Sequence, residues 1–215
     1  MGTDDRSIKI KPLFVTIGLM TFTKARFASF EEYLTAEVSD LPEGLYEYWD
    51  GELVPVMSES LGNDTIALYL FVVFLAAGIP FELLRPHNCE IEVIGRPRTR
   101  LPDLTIMDEI HLTLLDRRLT ITRKMPPPNL VVEVVSPGKE NSDNYVRDYQ
   151  DKRKQYAEIG IPEYWLIDPE RSWVMVGMLI VDRYQFTTFR EDETLISLRF
   201  PNIDLTASQI LKAGR

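Results

Sequence analysis

Histidine and cysteine are almost missing from this chain. His87, His111 and Cys89 are all that its 215 residues contain. One cysteine excludes a disulfide framework and a cysteine-rich zinc site, and two histidines exclude a multi-histidine metal centre. Any metal would sit among oxygen donors, which suits Mg²⁺ or Mn²⁺. A lone thiol also fits a reducing cytoplasm. Positive charge is scarce too: 24 Lys and Arg stand against 33 Asp and Glu, for a net charge of −9. That balance argues against a general nucleic-acid coat but leaves room for one basic cleft. Arg96, Arg98, Arg100, Arg117, Arg118, Arg123 and Lys124 cluster mid-chain and would serve equally as a solvated face or a phosphate-binding one. Near the start, Lys9 and Lys11 precede the apolar stretch Pro12–Met20, which is too short to span a membrane. No small-residue cleavage site follows it cleanly. Residues 1–21 therefore read as a poorly ordered N-terminal extension, with Met20 as an alternative start, ahead of one domain over residues 22–215.

What is present alternates between strand and helix patterns. Ser29-Phe30-Glu31-Glu32 reads as a capping box opening a short helix. Asp50-Gly51 between Leu45–Trp49 and Glu52–Val56 is a strong hairpin signal, and alternation places Glu47 on the face of Leu45 and Trp49. Residues 63–77 read as an apolar helix capped by Asn63 or Asp64 and stopped by Gly78. Phe81–Val93 reads as a strand, Arg96–Arg100 as a basic turn, and Leu104–Met107 and Leu119–Thr122 as short strands. Three prolines (126–128) and Ser136-Pro137-Gly138 bound Asn129–Val135, whose β-branched run reads as a central strand buried on both faces. Gly138–Asn144 reads as a mobile loop, and a helix follows to Ile159, capped by Asp143 or Asn144. Further strands are expected at Glu163–Ile167, Trp173–Val181 and Tyr184–Phe189. The sum is an α/β sandwich on a mixed sheet flanked by helices.

Glu133 lies in the middle of the central strand. A carboxylate among valines loses several kcal/mol of solvation unless a cation or strong donors answer it. At 100° per residue, Tyr145, Tyr149, Lys152, Tyr156 and Ile159 share one helix face, so Lys152 alone is aimed inward while Lys154 points to solvent. Asp103 stands at the mouth of another strand. If the strands are neighbours, two carboxylates and an ammonium meet, as a hard-cation site would require. Two structural readings stand beside this one. Lys152 could snorkel along the tyrosines with its ammonium in water, or pair with Glu133 in the absence of any metal.

Pro102-Asp103, Asn129–Pro137, Lys152–Tyr156 and Gly160-Ile161-Pro162-Glu163-Tyr164-Trp165-Leu166-Ile167-Asp168-Pro169 occur in that order. Together they resemble the Uma-type family, long described as a domain of unknown function and treated as endonucleases. The resemblance covers roughly residues 22–210 and is carried by the ordered set rather than by one motif. It implies the restriction-endonuclease-like PD-(D/E)XK fold, with Asp103 matching the Asp of the PD motif and Glu133 the acidic residue of (D/E)XK. Both would ligate Mg²⁺ (or Mn²⁺), with the Val134 backbone carbonyl as an additional ligand. Val135 occupies the motif's lysine position, and Lys152 matches the lysine that the following helix commonly supplies in this family. Glu52, or in second place Glu47, would add a carboxylate. Asn63 stands where many members have a histidine. Glu163, Tyr164, Trp165 and Asp168 are assigned to packing and strand ends.

The implied activity is Mg²⁺-dependent hydrolysis of DNA phosphodiester bonds by an endonuclease. Two alternatives remain open: a catalytically inactive nuclease fold that binds DNA or protein, and a structural homodimer without a metal site. A homodimer paired through an edge strand such as Trp173–Val181 is expected, with no membrane partner.

Overall fold

The computed structural model describes residues 26–56, 60–116 and 118–215. The N-terminal extension expected over residues 1–21, with its alternative start at Met20, lies outside them, as does Arg117 of the basic cluster. Ser29 caps α1 (Phe30–Thr35), its hydroxyl accepting from Glu32 N at 3.1 Å. The Glu32 carboxylate in turn accepts from Ala28 N at 2.5 Å. Asp50 (φ 45°) and Gly51 (φ 94°) turn the chain between β1 (Tyr46–Trp49) and β2 (Glu52–Pro55). Left-handed φ at both central residues is the requirement of a two-residue type I′ hairpin, which Asp-Gly meets at low cost.

The long helix α2 spans Leu61–Ala76 and is capped by Ser60, which accepts from Asn63 N at 3.2 Å. The expected caps, Asn63 and Asp64, instead lie inside its first turn. The helix is apolar on nearly every side, so its pattern carries no phase that marks where it begins. The single strand expected over Phe81–Val93 is divided into a 3₁₀ turn (Phe81–Leu83), β3 (Leu84–Pro86) and β4 (Glu90–Glu92). His87, at φ 53°, redirects the chain between the two strands. β5 (Thr99–Arg100), β6 (Leu104–Ile106), α3 (His111–Leu114) and β7 (Thr120–Ile121) follow. Next come the central β8 (Leu130–Val134) and a continuous helix made of α4 (Asp143–Val146), a π-helical turn (Arg147–Asp151) and α5 (Lys152–Glu158). Its cap is Ser142, not Asp143 or Asn144. β9 (Glu163–Asp168), β10 (Trp173–Ile180), β11 (Arg183–Phe189) and α6 (Ala207–Ala213) complete the chain.

Six strands form the main sheet in the order β11-β10-β9-β8-β6-β3, with β8–β9 parallel and the other pairs antiparallel. β4 carries β5 and β7 in a second, three-stranded sheet. β10 is therefore internal: the Val181-Asp182 turn folds β11 back over it, and the long strand expected to offer a free edge has none. Leu130, Val132 and Val134 face α2 and α6, while Val131 and Val135 face Tyr149, Tyr156 and Tyr164. Burying these β8 side chains contributes roughly 10 kcal/mol before chain entropy is counted. Glu133, in the same strand, is buried at a cost in solvation that its partners must offset.

Candidate functional site

Strand register builds the site. β6 and β8 pair with Leu104 opposite Val132 and Thr105 opposite Val131. One step further brings Asp103 opposite Glu133. Asp103 is fixed by Val134 N, which donates to its Oδ2 at 2.5 Å, and by His87, whose Nδ1 lies 3.5 Å from Oδ1. The α4–α5 helix lies over the same end of β8. Lys152 Nζ donates to Glu133 Oε2 at 2.6 Å, and the Tyr156 hydroxyl donates to Oε1 at 2.5 Å. Asp148 Oδ1 lies 3.2 Å from the same ammonium, and Arg147 holds Asp148 through Nε at 2.9 Å and Nη2 at 3.0 Å. Across the opening, Arg100 reaches Glu47 at 3.1 Å and Gln155 at 2.9 Å. Asp103, Glu133, Lys152, Arg147, Glu47 and Asn63 all line one cleft of about 390 Å³.

Electrostatics within the cleft are unbalanced. Burial pushes the Glu133 carboxyl up to about 7, Lys152 opposes that shift, and neighbouring Asp103 adds to it. Desolvation works against the Lys152 charge, but Glu133, Asp148 and Asp103 outweigh it and hold the ammonium above its ordinary range. Asp148 is desolvated too, yet Lys152 and Arg147 keep it below the usual carboxylate value. Three buried carboxylates thus act on one ammonium, Asp148 also has Arg147, and burial makes Glu133 the one that is raised.

Asp103, Glu133 and Lys152 are brought together, and Lys154 is exposed. Glu52 is not among them. Its carboxylate reaches Arg26 at 3.0 Å: the register puts it on the same hairpin face as Glu47 but opposite Trp49, at the turn end, and Glu47 is the hairpin's acid at the cleft. The Val134 carbonyl accepts from Asn63 Nδ2 at 3.4 Å, so the residue in the expected histidine position touches the expected backbone ligand. Lys152 is not the lone inward polar group of its helix, since Asp148 and Gln155 are buried beside it. A uniform 100° wheel already sets Asp148 at the edge of this face, about 40° from Lys152, and within the π turn consecutive Asp148 and Tyr149 are both buried. Tyr156 and Asp148 were nevertheless within reach of sequence reasoning, four residues either side of Lys152. Glu163 and Asp168 serve packing: Glu163 accepts from Trp165 Nε1 at 2.6 Å, and Asp168 from Tyr149 and Arg171. Among the described residues, no group of three or more His, Cys, Asp or Glu side chains is gathered as a metal cage. None of the described helices is long and apolar enough to cross a membrane.

A family model, Uma2, described as a putative restriction endonuclease, matches residues 30–208. No curated protein matches the chain. Among solved structures, that of a putative nuclease belonging to DUF820 from Anabaena variabilis superposes with a TM-score of 0.60 at 17% identity. The match covers 86% of this chain and 98% of the other.

Proposed function

The chain belongs to the Uma2 family and has its restriction-endonuclease-like α/β fold, and from that premise we propose that the cleft hydrolyses DNA phosphodiester bonds with a divalent cation. The observation that carries this reading is the convergence of Asp103, Glu133 and Lys152, drawn from β6, β8 and α5, on one cleft. The donor set fits Mg²⁺ or Mn²⁺. Two carboxylates and the Val134 carbonyl are hard oxygen ligands, too few for a closed cage, and Mg²⁺ usually keeps several waters. Burial raises the Glu133 carboxyl and neighbouring Asp103 adds to the shift; a cation between the two would offset both effects, which supports the same reading. Bound there, the ion would supply Lewis acidity toward a phosphoryl oxygen and a more acidic water.

The protein's own groups do the rest. Lys152, charged and held by two carboxylates, places a positive charge where the phosphoryl oxygens gain negative charge. It acts as an electrostatic stabiliser and not as a base, because its pKa is raised. Tyr156 fixes the rotation of the Glu133 carboxylate, and Val134 N that of Asp103. Arg147, about one third exposed at the cleft, is placed to meet a neighbouring backbone phosphate.

One observation favours a second reading. Lys152, Arg147 and Arg100 each already have a carboxylate partner, so the network closes without a cation, as in a fold that binds DNA or protein without cutting it. Plasmid DNA incubated with the protein in Mg²⁺, Mn²⁺ or EDTA separates the two. Hydrolysis that requires metal and falls at least about 100-fold in Asp103→Asn and Glu133→Gln supports the nuclease. Binding without hydrolysis under every metal condition supports the inactive fold.

A further inference from the structure

The helix α2 presents two apolar faces, and the fold buries one. Ile66, Ala67, Leu70 and Phe74 are in the core. On the opposite side Leu61 is 84% exposed, Leu68 45%, Val72 58% and Leu75 42%, with Phe81 at 67% just beyond the helix end. At 100° per residue, these four helix positions fall within an arc of about 60°. Their separations of seven, four and three residues are those of a coiled-coil seam. Asp64 is the single charged residue among the sixteen of α2.

We propose that this face is a homodimer interface, with α2 packed antiparallel against α2 of a second copy around a two-fold axis at Leu68. The spacing is self-complementary, as an isologous contact requires. With Leu68 on the axis, Leu61 stands level with the second copy's Leu75 and Val72 with its Asp64, Thr65 being the next residue along, while antiparallel packing opposes the two helix dipoles. The exposed side chains supply on the order of 500 Å² per copy, in the upper part of the roughly 300–600 Å² of a typical monomer's largest apolar patch, which is often functional. That is over half of the roughly 800 Å² per partner of a stable interface, with a polar rim to add the remainder. A lipid surface fits less well. Interfacial helices carry Lys and Arg along their polar edge, and α2 carries none on a chain of net charge −9. Ser60 and Asn63, at the start of α2, line the cleft. The pair would therefore hold two clefts at opposite ends of helices about 24 Å long. The dimer does not depend on what the cleft does.

Sedimentation velocity of the full chain at about 50 µM should give twice the chain mass for wild type and a single chain mass for Leu68→Glu, a loss of at least about 100-fold in affinity. Circular dichroism confirms that the variant is folded. Leu68→Cys, next to its own symmetry mate, should cross-link under mild oxidation, since native Cys89 is buried and does not compete. Val181→Cys, on the exposed turn between β10 and β11, should stay monomeric on a denaturing gel. A monomeric wild type overturns the proposal, including the case in which residues 1–25 cover this face. So does a dimer that Leu68→Glu leaves intact and Leu68→Cys fails to trap.

Discussion

The Tyr156 hydroxyl donates to Glu133 Oε1 at 2.5 Å from four residues beyond the lysine that holds Oε2. Tyr156 and Glu133 are both buried, so this carboxylate oxygen has no bulk water to replace the hydroxyl. Tyr156→Phe leaves a buried carboxylate oxygen without its donor, at about 1–3 kcal/mol. The melting temperature should fall by a few degrees. As a positioning residue, Tyr156 acts through Glu133, so kcat should drop about tenfold with KM little changed. A variant with wild-type melting and metal affinity would remove Tyr156 from the site.

Lys152→Met tests the charge balance. It leaves Asp148 to Arg147 and Glu133 to the Tyr156 hydroxyl, with no cation on Glu133, and breaking a buried pair by removing one partner costs about 3–5 kcal/mol. Without Lys152, which lowers Glu133, that carboxyl rises further and is neutral at pH 5. The stability loss should therefore be larger at pH 8 than at pH 5. Millimolar Mg²⁺ should narrow the melting gap at pH 8 by replacing the lost positive charge, while hydrolysis stays low. A gap that ignores both pH and Mg²⁺ would mean that Lys152 matters only through packing.

Much of this arrangement was legible because short-range chemistry dictates it. The valine run of β8 could only be a doubly buried strand, and a carboxylate inside it demanded a partner. Asp50-Gly51 forced the hairpin. What escaped has a common origin in features that depend on phase or on neighbours. An all-round apolar α2 conceals its first turn, so Ser60 was passed over for Asn63. Asp148 sits at the edge of the inward helix face, where a charged residue reads as readily as solvent-facing, and only the Lys152 and Arg147 contacts place it in the site. Preferring Glu47 to Glu52 requires knowing which end of the hairpin meets Arg100, a contact 53 residues away in sequence. That β10 is internal depended on β11 folding back across it, which no residue of β10 announces.

Gly51 offers a test of the hairpin that carries Glu47. Its φ of 94° strains any side chain, and a Cβ would meet the Phe27 carbonyl oxygen at 2.6 Å. Gly78 has a similar φ of 91° but open space around it. Gly78→Ala should cost about 1–2 kcal/mol from left-handed backbone alone. Gly51→Ala should cost about 1–3 kcal/mol more, since backbone must move to admit the methyl. Thermal melts of the two variants measure the difference. Equal losses would mean that the close approach is relieved without cost.

Metal binding should carry a proton signature set by Glu133. Its carboxyl, raised to about 7 in the metal-free cleft, must lose its proton to become a ligand. Titration calorimetry with Mn²⁺ at pH 6, in buffers of different ionisation enthalpy, should reveal proton release approaching one per site. The release should fade above pH 8, and affinity should rise between those values. The same group sets a stability slope. A folded pKa above the unfolded 4.5 means that the folded chain holds the proton more tightly. Its contribution is present in full below 4.5 and lost as pH rises through about 7. Asp148, shifted downward, acts below the ordinary carboxylate value of 3.8 and so outside that window. Metal-free protein should therefore lose stability between pH 5 and 7, by at most about 1.4 kcal/mol per pH unit from this group. Glu133→Gln should flatten the slope and abolish the proton release together. If either survives in that variant, the raised carboxyl lies elsewhere.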